Sequence, residues 1–302
     1  VSAPDAELLV ADTQGVELVA SLRPLADGRS DPTWRFGPDR AVRAMTTPEG
    51  PVTVELTSLP DGVRARCWGP GSEWLVPRIH RLVGTATPED FRADLHPVVH
   101  AAHRRSSGLR FAAGLRLADV VVPTILGQRV TSQEARRSWW TLVRRTGVAA
   151  PGPHDLQLPP DPAVVARLSD ADWHRLGVER QRADAIRRVL GVLHGLEAAA
   201  ERDSMELQRL LCTVPGIGPW TATGLAQHVL GDPDAVLLGD LHVPHNVCFA
   251  LAGEERGSDE RMLELLEPWR GQRARVVRLL ARSGRRAPKR GPRYTPLPIA
   301  RW

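Results

Sequence analysis

The chain has 302 residues, 42% hydrophobic and 25% charged, the profile of a globular protein of one to two domains and not of a disordered or collagen-like chain. No apolar run approaches the ~18 residues of a spanning helix, and the first residues lack the charged and apolar regions of a signal peptide, so no membrane association and a cytoplasmic location are expected. Cys67, Cys212 and Cys248 are too few and too scattered for a disulfide framework, a CxxC zinc site or an iron–sulfur cluster, and the net charge of +5 comes from the C-terminal end, where Pro268 to Trp302 holds eleven basic residues and no acidic one.

In chain order, the first 114 residues carry short Val-, Leu-, Thr- and Trp-rich runs with a period near two, such as 51–57 and 63–68, which predict antiparallel strands joined at Asp61-Gly62. Residues 88–100 read as a short helical or irregular bridge. From about Leu115 the spacing becomes helical: Leu117, Val120, Val121 and Ile125 share a face, and the pattern breaks at Gly127-Gln128-Arg129. Thr131 with Glu134 has capping-box spacing, so a helix is predicted from there to Gly147. A Pro-rich linker, 150–160, precedes an N-cap and first-turn proline at Asp161-Pro162, and one longer helix is predicted to carry Ile186, Val189, Leu190 and Leu193.

Asp203 and Glu206 mark the start of a short helix bearing Leu207, Leu210 and Leu211. Then comes Val214-Pro-Gly-Ile-Gly-Pro-Trp-Thr-Ala222, where two glycines flanking one aliphatic residue allow a sharp turn and Pro219 suits the first turn of a helix running to Leu230. Amides around Gly216 and Gly218, beside a helix N-terminus, form a site for an anion such as a DNA phosphate. The basic C-terminal end fits the same partner, since counterion release favours arginines on a polyanion; a solvated terminus is the plain alternative.

On this hairpin, together with Val122-Pro-Thr-Ile-Leu-Gly-Gln128, the stretch Leu168 to Gly177 with Arg182-Ala183, and Glu267-Pro-Trp-Arg270, the chain resembles the helix-hairpin-helix DNA glycosylases, within them the 3-methyladenine DNA glycosylase II type. The resemblance covers about residues 115–280. It implies an α+β architecture: an N-terminal antiparallel β-containing domain (1–114), an all-helical glycosylase domain (115–283, hairpin 204–230) and a basic C-terminal tail (284–302).

It also implies a bacterial base-excision-repair enzyme, acting as a monomer on double-stranded DNA and excising alkylated purines of the 3-methyladenine and 7-methylguanine type after flipping the nucleotide out. Asp240, in Leu238-Gly-Asp-Leu-His-Val243, stands at the family's catalytic aspartate and also suits an N-cap. A carboxylate is what this chemistry needs, because positive charge builds on the deoxyribose as the base leaves. Bifunctional relatives place a lysine two residues after the second hairpin glycine; here Trp220 stands there, and the 40 basic residues include a single lysine, Lys289, so no lyase step is expected.

Trp220, Trp269 and Trp139, with Trp140 as an alternative to Trp139, are candidate walls for an electron-poor base. The aromatic that relatives carry about nine residues beyond Trp269 is replaced in the run Val276-Val277-Arg278. Gln128, Arg129, Gly216, Ile217, Gly218, Thr221 and Arg270 are candidate DNA contacts, with Arg129 at the wedge position, where an apolar residue stands in the family. No cofactor is required; the family resemblance allows a structural monovalent cation on the carbonyls of Cys212, Val214 and Ile217, whereas His242 and His245 lack a third metal-ligand signal. Two other readings share these residues: a non-catalytic DNA-binding or damage-sensing module, and a glycosylase for another damaged base.

Overall fold

A computed structural model describes residues 3–288. Five strands, β1 (Ala6–Val10), β2 (Trp34–Phe36), β3 (Arg40–Thr47), β4 (Gly50–Leu59) and β5 (Gly62–Trp68), form one antiparallel sheet in the order β1-β5-β4-β3-β2. The two predicted runs lie in β4 and β5. Leu59 pairs with Gly62, so the two-residue loop is Pro60-Asp61 and Gly62 opens β5 with φ +147, a conformation reserved for glycine.

The period of two decides what each sheet face does. In β3, Ala41 and Met45 point into a core shared with α1 (Leu18–Leu22), α2 (Ser72–Leu75) and α3 (Ile79–Val83), while Val42 and Ala44 point the other way. That second face is covered by Leu156 and Leu158, so the Pro-rich stretch predicted as a linker is a clasp laid across the sheet. An Ala149–Gln157 bridge and the Gln157 amide on the Pro32 carbonyl (3.0 Å) fix it there.

The helices follow as α4 (Pro97–Arg105), α5 (Leu117–Leu126), α6 (Ser132–Thr146), α7 (Pro162–Ala166), α8 (Asp170–Arg175), α9 (Arg180–Gly191) and α10 (Leu193–Ala200). The remainder are α11 (Ser204–Cys212), α12 (Pro219–Leu230), α13 (Val243–Ala252), α14 (Asp259–Leu266) and α15 (Arg273–Ser283). The capping box of α6 is complete, with Thr131 Oγ1 accepting the Glu134 amide (3.2 Å) and Glu134 accepting the Thr131 amide (2.8 Å), a device worth about 1 kcal/mol. The helix predicted to run through Leu193 instead breaks at Val192 (φ −119, ψ 13), and Leu193 begins α10.

Helices α5 to α12 enclose one core, centred on Trp173, Ile125 and Leu211. A further core joins α4 to α13, α14 and α15. Here the Arg275 guanidinium, 1% exposed, donates to the carbonyls of Thr85 (3.2 Å), Ala86 (3.1 Å) and Leu109 (3.3 Å), while Arg282 reaches Glu17 at 2.6 Å. The last helix is thereby tied to the early part of the chain. Sheet and helices meet at Arg43, which donates to the Gly114 carbonyl (2.8 Å) and stands 3.5 Å from Asp119 at the start of α5. Among the described residues no helix is long and apolar enough to cross a membrane.

Candidate active site

The hairpin between α11 and α12 turns at Gly216, whose φ of +97 and whose approach to Ala185 (2.9 Å from an added Cβ) both demand glycine. Pro219 opens α12, as its fixed φ and missing donor favour. Gln128, just past α5, donates from Nε2 to the Gly216 carbonyl (3.1 Å) and to Thr221 Oγ1 (2.8 Å). Behind it Arg182, 3% exposed, donates to the Leu126 carbonyl (2.7 Å) and pairs with Glu179. The 127–129 loop is therefore locked to the hairpin, and at its tip the exposed Arg129 is held at φ +55, uncommon for a non-glycine residue.

Twenty residues after Trp220 the chain returns to it. Asp240 Oδ1 accepts the amides of His242 (2.7 Å) and Val243 (2.9 Å) at the mouth of α13, and Oδ2 accepts the Trp220 indole N–H at 3.1 Å. His242, not Asp240, is the N-cap residue of α13, yet Asp240 Oδ1 takes the amides at that helix's start while Oδ2 faces Trp220, which leaves an oriented, half-buried carboxylate. The indole also lies against the Gly127 loop, 3.9 Å from the position of an added Cβ.

Asp240, Trp220, Gln128, Arg129, Trp139 and the hairpin glycines line one cleft of about 2270 Å³. That exceeds the roughly 300–1,000 Å³ of a small-molecule pocket and suits a stretch of polymer. Four predicted contacts, and the alternative Trp140, fall differently. Trp269 is 6% exposed, packs in the core of α13 to α15, donates to the Arg92 carbonyl (2.8 Å) and does not line the cleft. Thr221 is 2% exposed with its hydroxyl taken by Gln128, and the Ile217 side chain, 5% exposed, belongs to the helical core, which leaves only its backbone for a phosphate. Arg270 is exposed outside the cleft and paired with Glu267, and Trp140 donates to the Asp27 carbonyl (2.9 Å).

The hairpin carbonyls already receive protein donors: Ile217 N–H on Val214 (3.0 Å), Gln128 on Gly216, and the Arg188 guanidinium on Pro215 (3.3 Å). His245 is engaged by the Gly257 amide (3.1 Å), and no cluster of three or more potential side-chain metal ligands occurs among the described residues.

Two cleft residues escape a reading of the sequence because burial gives them their character. The Asp27 carboxyl is pushed up to about 7, chiefly by desolvation and then by Asp31, with Arg136 opposing. The His228 ring is pushed down to about 4 by burial and by the neighbouring Arg278, which keeps it neutral.

No family model matches the chain. It is 29% identical over 207 residues to the probable bifunctional transcriptional activator/DNA repair enzyme AlkA of Mycobacterium tuberculosis, a match of 66% of this chain that spans 42% of that relative. Among solved structures, a 3-methyladenine DNA-glycosylase from Archaeoglobus fulgidus superposes with a TM-score of 0.77 at 18% identity, covering 92% of this chain and 98% of that one. A Clostridium acetobutylicum 8-oxoguanine glycosylase/lyase, bound to DNA, superposes at 0.68 with 12% identity, covering 92% and 97%. The predicted α+β fold is borne out over nearly the whole chain, and so is the resemblance that suggested it.

Proposed function

We propose that this chain, which has the fold of the helix-hairpin-helix DNA glycosylases, is a monofunctional DNA glycosylase. Its substrates are alkylated purines of the 3-methyladenine and 7-methylguanine type in duplex DNA, and its reaction opens base excision repair. The observation that carries this reading is the Asp240 carboxylate, fixed by two amides and the Trp220 indole inside a cleft entered beside the hairpin. The hairpin amides hold a backbone phosphate, and the flipped nucleotide enters the cleft while Arg129 fills the gap it leaves.

As the glycosidic bond breaks, its electron pair passes to the alkylated base, which carried positive charge and leaves neutral. The cationic sugar is stabilised by Asp240; water bonds to C1′ and its proton passes through the carboxylate to solvent. A pre-positioned carboxylate answers the charge without metal or cofactor. Trp220 offers no amine at the hairpin, and residues 1–288 contain no lysine, so the abasic product stays intact.

The test is release of 3-methyladenine and 7-methylguanine from methylated duplex DNA in the presence of EDTA. Wild type releases both and yields no borohydride-trapped adduct. Asp240→Asn loses at least a hundredfold in rate while still binding DNA. A wild type that binds DNA and releases nothing would make it a binding module.

A further inference from the structure

Helices α4 and α15 pack in one core and end at the same edge, since Arg282, in the last turn of α15, donates from Nε to Ser106 Oγ just past α4 (2.8 Å). Each brings basic residues there: Arg104 and Arg105 from α4, Arg282 from α15 and Arg285 just after it. A helix dipole accounts for cations at one C-terminus, but not for two helices placing them around a shared cavity. Arg105, Ser106, Arg282 and Ala102 line such a cavity, of about 290 Å³, which shares no residue with the cleft.

The donors that converge on it are largely unspent. Ser106 is 4% exposed; its hydroxyl accepts from Arg282, and its own proton has no acceptor among the described residues. The exposed guanidiniums of Arg104 and Arg105 have no partner among the described residues. Arg282 spends Nη2 on Glu17 (2.6 Å), the one carboxylate paired at this edge among the described residues. Residues 1–267 carry 29 basic and 35 acidic side chains, so this local excess of positive charge runs against the balance of the chain. Two guanidiniums beside a buried hydroxyl make a donor set for a tetrahedral oxyanion. The cavity suits one in size as well: it falls just short of the roughly 300–1,000 Å³ of a small-molecule pocket, yet holds a phosphate group together with waters at roughly 30 Å³ each.

This edge leads to the cleft. Four residues beyond Arg282, Arg286 lines the cleft, so their Cα atoms lie at most about 14 Å apart. Along a duplex strand that distance is about four phosphates at roughly 3.4 Å of rise each. We propose that the pocket between the ends of α4 and α15 is a second phosphate site, which holds the backbone of the duplex beyond the stretch lying in the cleft. The proposal rests on the reading of duplex DNA as the substrate and deepens it, because the flank of the lesion is then gripped apart from the lesion itself. A DNA phosphate is the ligand, and not a free one, because the pocket stands within a few phosphates of the cleft rim and Arg104 and Arg285 add charge beside it that a single oxyanion leaves unused.

The experiment measures equilibrium binding of the full chain to duplexes of about 9 and about 25 base pairs over a series of salt concentrations, each duplex with a stable abasic-site analogue at its centre. Wild type binds the longer duplex at least tenfold more tightly. Arg105→Gln binds the longer duplex at least fivefold more weakly than wild type and lowers the slope of log K against log salt by about 0.9, the share of one phosphate. Its affinity for the shorter duplex, which ends before the pocket, changes less than twofold. Arg105→Lys, which keeps the charge, keeps most of the affinity and the slope.

Equal losses on the two duplexes would reduce Arg105 to a general attraction and overturn the proposal. An affinity and slope unchanged on the longer duplex overturn it too, as does a wild type that gains nothing with length. A protein that shows the length-dependent loss and releases no base from methylated DNA would strike the glycosylase reading and leave the phosphate site standing, whereas binding of neither duplex strikes both.

Discussion

Asp240 shows how a single side chain serves structure and chemistry at once, because its two oxygens face different partners: α13 takes one and the Trp220 indole the other. Asp27 is the opposite case, a carboxyl that the fold makes uncomfortable. Its folded value of about 7 lies above the ordinary 3.8, so between pH 4 and 7 the folded state binds the proton more tightly than the unfolded chain, and stability falls as pH rises through that window. Asp27→Asn is expected to remove this fall: its melting temperature matches wild type near pH 4 and exceeds it at pH 8, by about 2 to 4 °C for each kcal/mol relieved. A wild-type melting curve that is flat over the window would remove the basis for this. Asp240 and Trp220 are legible in sequence because a local motif and a fixed spacing carry them. Asp27 and His228 are not, since the burial that shifts them is completed by distant segments: α6, whose Trp140 lies against the Asp27 turn, and α15, whose Arg278 acts on His228.

Element boundaries are readable wherever a local device sets them. Thr131 with Glu134, Asp161 with Pro162, and Pro219 each begin a helix where the residue types predict. The break at Val192 follows Gly191, the last residue of α9, whose signal is easily passed over inside an apolar helical pattern, and the clasp at 150–160 reads as a spacer although Leu156 and Leu158 on it are buried against the sheet. The loop after α5 combines both lessons. Its Gly-Gln pair is recognisable, yet the left-handed backbone of Arg129 follows directly on a segment anchored at Leu126 by Arg182 and at Gln128 by the hairpin. Such a conformation costs about 1 kcal/mol or more and clusters at functional sites. Arg129→Gly is therefore expected to raise the melting temperature by a few degrees while slowing base release at least fivefold. A variant that gains stability and keeps full turnover would mark Arg129 as a phosphate contact or less.

At the scale of the whole molecule, charge and topology converge on one rim. After α15 the chain passes Gly284 (φ +79), the Ala287 amide donates to Asn246 Oδ1 (3.1 Å), and Arg286 to Pro288 line the cleft. Of the basic stretch 284–302, residues 289–302 lie outside the described residues, and the last described residue, Pro288, stands beside the proposed DNA path. Truncation after Pro288 is expected to weaken duplex binding and to lower the slope of log K against log salt by about 0.9 for each phosphate that the shortened chain leaves unneutralised, with an unchanged slope assigning the tail no part in binding. The arginines that tie α15 to the segment 85–109 have a further consequence, one of timing. On a ribosome adding roughly 5 to 20 residues per second, the carbonyls of Thr85, Ala86 and Leu109 emerge on the order of ten to thirty seconds before Arg275 exists to receive them. The sheet and the central helices can assemble as they are made, but the third core must wait, open to water, until α15 is made.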